Sequence, residues 1–227
     1  MSVFVIADPH LSLGTGKPMD VFEGWSDYVE RIDRNWKRLV KETDTVVIPG
    51  DISWAMSLEE SLTDLMFIDS LPGRKIISKG NHDYWWTTMK KLMEFKEKHG
   101  LDSIDFMFNN SFEAENISIC GTRGWIFETG KEEDLKIIER EAGRLRRSLE
   151  SRPDGRERVV FLHYPPIYQN QRAEKIISIM KEFSVRRCYY GHLHSRTISY
   201  AFNGEEDGIS YRLISSDSLE FCPYIID

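Results

Sequence analysis

Five short apolar runs in this chain each stop at a side chain able to hold a metal ion. Residues 3–7 end in Asp8-Pro9-His10. Val46-Val47-Ile48 ends in Gly50-Asp51, and Ile76-Ile77 in Lys79-Gly80-Asn81-His82-Asp83. Residues 159–162 end in His163, and Cys188-Tyr189-Tyr190 in Gly191-His192-Leu193-His194. Runs of this length read as buried strands. In a parallel α/β sheet ligands bind outside the carboxyl ends of the strands, so five such ends bring their first polar residues to one cleft. Glycine precedes the ligand at Gly50, Gly80 and Gly191, where it permits a sharp turn and a close backbone approach. Five of the six histidines occupy these ends. The sixth, His99, sits near a helix C-terminus and takes no role.

The stretches between the runs read as helices. Trp25, Tyr28, Val29, Ile32, Trp36, Leu39 and Val40 recur at helical spacing. Ser57-Leu58-Glu59-Glu60 is a capping box opening a helix with Leu58, Leu62, Leu65 and Met66 on one face. Trp85, Met89, Leu92 and Met93 mark a third helix, closed at His99-Gly100. Strand–helix alternation over this half predicts βαβ units and a parallel sheet. The second half is less regular. It reads as strands at 106–108 and 117–120 and a charged helix with Leu135, Ile138, Ala142, Leu145 and Leu149. A helix through Ile176, Ile177, Met180 and Phe183 follows, then a hairpin of 197–202 with 209–214 around 203–208. No repeat or linker interrupts the chain, so residues 1–227 are expected to form a single domain.

The net charge of −7 argues against a duplex nucleic-acid binder, which is more often basic. It leaves room for a small anionic substrate, because bound cations set the local sign. Three widely spaced cysteines, Cys120, Cys188 and Cys222, with no CxxC pair, fit a reducing, cytoplasmic location. No stretch approaches membrane-spanning length.

Mixed imidazole and carboxylate donors suit zinc, iron or manganese better than calcium. Seven candidate ligands, Asp8, His10, Asp51, Asn81, His163, His192 and His194, exceed the needs of one ion and suffice for two if a carboxylate bridges. A pair of cations outweighs the ligand carboxylates, leaving a net positive site for a phosphate oxygen.

These five blocks, running from Asp8 to His194 and so over most of the chain, resemble those of the calcineurin-like metallophosphoesterases. The resemblance implies an α/β/β/α four-layer sandwich, with a second sheet that the sequence rhythm does not predict. It also implies that Asp8, His10, Asp51 and His194 hold one metal ion and Asp51, Asn81, His163 and His192 the other. Asp51 would then bridge, and His82 would face the phosphate and protonate the leaving oxygen. Protein phosphatases of this family carry an acid three positions after the bridging aspartate, where this chain has Trp54. The partner that orients His82 therefore stays open between Asp83 and Asp51, with helix capping as another role for Asp83.

The expected function is hydrolysis of a small phosphomonoester or phosphodiester by a metal-bridging hydroxide, with a lean toward a diesterase or a broad small-molecule phosphatase. The alternatives are a non-catalytic metal-binding scaffold of the same fold and a nuclease subunit that needs a partner. No membrane or nucleic-acid partner is expected. Around the site, Arg123 reads either as a phosphate clamp or as an ordinary ion pair, and Asn81 and His82 as further substrate contacts. Trp54, Tyr84 and Trp86 read as cleft-lining aromatics, Trp85 as core, and Tyr164-Pro165-Pro166 as a rigid wall. Arg144, Arg146 and Arg147 read as a solvated helix face, and Glu205-Glu206-Asp207 as a solvated hairpin tip.

Overall fold

The computed structural model describes residues 1–126, 132–151 and 155–226. The first half alternates β1 (Val3–Val5), α1 (Tyr28–Leu39), β2 (Thr45–Pro49), α2 (Leu62–Ser70), β3 (Arg74–Ser78), α3 (Met89–His99) and β4 (Ile104–Phe106). The second half runs β5 (Ser111–Ala114), β6 (Ile117–Thr122), α4 (Glu132–Glu150), β7 (Glu157–Leu162), β8 (Ile167–Tyr168) and β9 (Gln171–Arg172). It continues with α5 (Glu174–Glu182), β10 (Arg187–Tyr190), β11 (Gly204–Glu206), β12 (Ile209–Leu213) and β13 (Tyr224–Ile225). One sheet has the order β13-β1-β2-β3-β4, with β1 to β4 parallel. The other has the order β11-β12-β10-β7-β6-β5, with its four middle strands parallel.

Both faces of each sheet are buried, which is why the strands read as continuous apolar runs. In the first sheet Phe4, Val46, Ile48 and Ile77 pack outward on Ile32 and Trp36 of α1, Leu65 and Ile68 of α2, and Leu92 and Phe95 of α3. Their neighbours Val3, Val5, Val47 and Ile76 point inward and meet Ile117, Ile119, Val159, Phe161 and Tyr189 of the second sheet. Outward from that sheet, Val160, Leu162, Cys188 and Tyr190 pack on Ala142, Leu145 and Leu149 of α4 and Ile176, Ile177 and Met180 of α5. The layers are therefore helices, sheet, sheet, helices, the four-layer sandwich. Each buried Val, Ile or Leu stabilises it by about 1.5–3 kcal/mol. A one-residue slip of any strand would swap its inner and outer sets, so burial on both faces fixes the register.

Several local expectations shift. Trp25 is buried but precedes α1, which starts at Tyr28. The box at Ser57 forms a turn in which Ser57 Oγ accepts the Glu60 N–H, and the α-helix begins later, at Leu62. Its buried face is Asp64, Leu65 and Ile68, while Met66 is exposed. The strand expected at 106–108 lies at Ile104–Phe106, and the short edge strand β5 went unread. Residues 195–200 form a 3-10 turn rather than a strand. There Thr197 Oγ1 accepts the His194 N–H and donates to the His194 carbonyl, so local bonds win over β-propensity. The hairpin is β11 with β12. Its tip is docked rather than merely solvated, with Asp207 held by Arg172 and Lys181. Arg144 is likewise caught by the buried Glu141.

Among the described residues no helix is long and apolar enough to cross a membrane.

Candidate metal centre

The loops that follow β1, β2, β3, β7 and β10 lie against one another and are stitched by backbone bonds. Asp8 N–H donates to the Gly50 carbonyl (3.1 Å), His10 to Asp51 (3.0 Å) and Gly191 to His163 (3.1 Å). The end of β12 joins them, because Ala7 N–H donates to Ile214 (2.7 Å) and Ser216 N–H returns to Ala7 (2.8 Å). The turns are tight enough to place Asp8, His10, Asp51 and His192 at φ of 56°, 46°, 49° and 74°. Left-handed backbone at a non-glycine residue costs about 1–2 kcal/mol, and such strain gathers at functional sites. Gly50 has φ 100°, and a Cβ there would sit 2.7 Å from the Gly80 Cα. A Cβ on Gly191 would press into the Asp8 carboxylate.

All seven sequence-predicted ligands converge here. His10 Nε2 lies 3.2 Å from His194 Nε2 and 3.6 Å from Asp51 Oδ2, and His194 Nε2 is 3.7 Å from Asp8 Oδ2. On the other side His163 Nε2 lies 2.5 Å from Asn81 Oδ1 and 3.5 Å from Asp51 Oδ2, with His192 Nδ1 3.0 Å from Asn81 Oδ1. Asp51 Oδ2 thus faces both groups. Its other oxygen accepts the His82 N–H (2.7 Å), and Asp8 Oδ2 accepts the His192 N–H (2.7 Å). Asp8, His10, Asp51 and His163 are buried, while Asn81, His82, His192 and His194 are half-exposed, so the cluster opens on one side.

Further side chains hold these groups in place. Asp83 is fully buried and accepts from Ile52 N (2.8 Å), Ser53 N (3.2 Å), Gly80 N (2.8 Å) and Trp85 Nε1 (2.9 Å). It therefore ties the Asp51 loop to the Asn81 loop; it neither orients the His82 ring nor caps α3, whose cap is Thr88. Asp51 meets His82 only through the backbone. The His82 ring rests on Trp54, with ring centroids 4.4 Å apart, and Trp54 also stacks on His10 at 4.9 Å. Tyr84 is exposed and lies 6.2 Å from His82 ring to ring, whereas Trp85 and Trp86 belong to the core. Asp217 went unread in the sequence. It accepts from His194 Nδ1 (2.9 Å) and from Ser195 N (2.8 Å). The signal was weak: β12 alternates apolar and polar residues and reaches the carboxylate only through Ser215-Ser216-Asp217. Tyr164 packs on His192 at 4.2 Å.

The electrostatics favour positive charge at the centre. Burial, opposed by His163 but reinforced by Asp83 and Asp8, pushes the Asp51 carboxyl up to about 7. Burial acts on Asp8 as well, but contact with His163 and the charges of His163, His194 and His10 hold it well below the usual carboxylate range. Burial depresses His163, yet Asp51 and Asp8 outweigh it and raise the imidazole to about 9. Burial and the neighbouring His163 push His192 down to about 3, and burial and His194 hold His10 well below its ordinary value. His10 and His192 are thus neutral imidazoles with lone pairs free for a cation.

The sequence profile of the calcineurin-like phosphoesterases matches residues 1–196. The chain belongs to this family. Among solved structures it is similar to a protein of unknown function from Aquifex aeolicus, at 16% identity and TM-score 0.54, covering 99% of this chain and 95% of that one. It is also similar to a phosphopantetheinyl hydrolase from Mycobacterium tuberculosis, at 12% identity and TM-score 0.57 with the same two coverages. These likenesses support the fold. No curated protein matches the chain.

A calcineurin-like phosphoesterase works with metal ions, and the donors present fit them. Zinc-type cations bind nitrogen and oxygen at about 2.0–2.2 Å, which sets neighbouring ligand atoms about 3–3.5 Å apart. The separations above bracket that range. Asp8, Asp51 and His163 alone offer three ligand atoms within 4.8 Å of one another. Arg123 lies beside this centre. Its carbonyl accepts from His163 N (3.1 Å) and Tyr164 N (2.8 Å), and its guanidinium sits 3.7 Å from Glu141 and 4.9 Å over the Trp125 ring.

Proposed function

We propose that the chain is a two-metal phosphohydrolase that cleaves a small phosphomonoester or phosphodiester. Asp8, His10, Asp51 and His194 would hold one ion and Asp51, Asn81, His163 and His192 the other. The observation that carries this reading is the single oxygen Asp51 Oδ2, 3.6 Å from His10 Nε2 and 3.5 Å from His163 Nε2, facing two donor groups at once. The donor chemistry suits manganese, iron or zinc. When bound, such a pair supplies an acidified water and neutralises phosphate oxygens.

The chain's own residues do the rest. Asn81 contributes a neutral amide oxygen, which leaves the site positive for an anionic substrate. His82 is half-exposed at the mouth and its Nδ1 has no hydrogen-bond partner among the described residues. Burial and then His163 lower its pKa; a phosphate anion beside it raises it again. That imidazole gives its proton to the leaving oxygen, a contribution of about 10²–10⁴-fold for a positioned acid. Trp54 holds the ring by packing rather than by charge. The missing acid at that position turns the reading from protein phosphatases toward a diesterase or a broad small-molecule phosphatase. The wide spacing of Cys120, Cys188 and Cys222, with no CxxC pair, supports work in the cytoplasm.

The test is turnover of p-nitrophenyl phosphate and its bis ester by protein loaded with manganese, iron or zinc. Hydrolysis of either supports the reading, and their ratio separates monoesterase from diesterase. Metal-loaded protein inert toward both, and toward a broad phosphoester panel, contradicts it and favours a binding scaffold.

A further inference from the structure

Beside the metal centre lies a second feature that hydrolysis of a simple ester does not use. A cavity of about 310 Å³ opens at the ends of β3, β4 and β6, under α4. Four cations line it, Lys79, Arg123, Arg140 and Arg144, against one carboxylate, Glu141. Glu141 is 1% exposed and already engaged, accepting from Thr122 Oγ1 (2.5 Å) and Arg144 Nη1 (2.6 Å). Lys79 and Arg140 form no ion pair with the described residues. Among the described residues the lining therefore carries more positive than negative charge.

Three lining residues also have buried polar atoms with no hydrogen-bond partner among the described residues: Ser78 Oγ, Asn109 Oδ1 and Arg123 Nε. Ser78 is 1% exposed and lines the cavity. An unmet buried donor or acceptor costs about 1–3 kcal/mol, and such groups gathered around one cavity mark a place that a ligand completes. Trp86, Met107 and Phe108 make part of the lining apolar.

The pocket is continuous in sequence with the metal centre. Lys79 directly precedes Gly80 and Asn81, and the Arg123 carbonyl holds the backbone of His163. We propose that it receives a second phosphate group, carried on the part of the substrate that stays after cleavage or leaves with the alcohol. The substrate class is then a small bisphosphorylated molecule whose short apolar spacer lies on Trp86 and Phe108. Arg123 grips the second phosphate through its free Nε–H, Ser78 donates its hydroxyl, and Lys79 and Arg140 balance the charge. This rests on the phosphohydrolase reading, and the test separates the two.

Metal-loaded protein is given a series of alkanediol bisphosphates and the matching alkyl monophosphates. The expected result is a kcat/KM about tenfold or more higher for a bisphosphate of the right span, carried by KM. Arg123→Met and Lys79→Met should erase that preference. Metal-free protein is titrated with inorganic pyrophosphate by calorimetry, and each variant should bind about tenfold more weakly than wild type. Ser78→Ala, a smaller change that keeps the fold, should weaken it in the same direction. Monophosphate turnover without preference at any span overturns the pocket and leaves the phosphohydrolase standing. If no ester is cleaved, the hydrolase reading falls and the pyrophosphate titration decides alone. Weakening in the variants then supports an anion pocket, and equal or absent binding overturns it.

Discussion

Asp83 and Asp217 carry none of the expected ligand atoms, yet each fixes groups that do. Removing the Asp83 carboxylate in Asp83→Ala leaves four donors, Ile52 N, Ser53 N, Gly80 N and Trp85 Nε1, without their acceptor. The fold should lose about 3 kcal/mol or more, read as a lower denaturant midpoint, and metal binding should fall with it. Asp217→Asn keeps the shape but removes the charge behind His194 Nδ1, so metal affinity should drop about 10–100-fold with little change in stability. His82→Ala should do the opposite of both. It should keep the metals and the midpoint while turnover falls about 10²–10⁴-fold; loss of a metal would make His82 a ligand instead. His82 and Asn81 were readable because three polar residues stand together after a glycine. Asp217 was missed because its carboxylate sits among serines with no glycine or histidine to mark it. Asp83 was visible as a residue but not as a clamp, since two of its four partners, Ile52 and Ser53, come from a loop some thirty positions away.

The elements nearest the site were read from apolar runs, and those runs cannot tell one sheet from two. In both sheets the inner and outer faces are buried, so β1 and β7 look alike in sequence although they lie on opposite sides of the central layer. The α2 register was misjudged for a related reason. Asp64 is buried because it accepts from Leu13 N (2.8 Å) and Ser53 Oγ, a tertiary demand that helical periodicity does not carry. At the other end of α2, the buried Lys75 donates to the carbonyls of Asp69 (3.0 Å) and Leu71. Burial lowers this ammonium from 10.5 to about 8, against the attraction of Asp69 and Glu42. The folded value is depressed, so folding resists the proton. The penalty is present at and below pH 8 and is relieved as pH rises from 8 toward 10.5. Relative to Lys75→Met, wild-type protein should therefore gain stability across that window, by up to about 3 kcal/mol. A constant difference in denaturant midpoint from pH 7 to 10.5 would contradict this.

The whole molecule brings five strand ends and a sixth, β12, to one edge of a double-sheet sandwich. That edge joins two kinds of site: a donor cluster that favours positive charge, and a cationic pocket beside it. The helices on the outer faces hold the sheets but donate no ligand. Leu145→Ala in α4 should therefore destabilise the fold by about 2–5 kcal/mol through a core cavity and leave the metal stoichiometry of the remaining folded protein unchanged. The account stands on Asp51 lying between two cations. The most direct measurement is the metal content of purified, manganese- or zinc-loaded wild-type protein and Asp51→Asn, by elemental analysis, with bis(p-nitrophenyl) phosphate turnover measured on the same samples. The account predicts two ions per chain in wild type, fewer in the variant, and near-complete loss of turnover. Equal metal content and undiminished turnover in Asp51→Asn would contradict it.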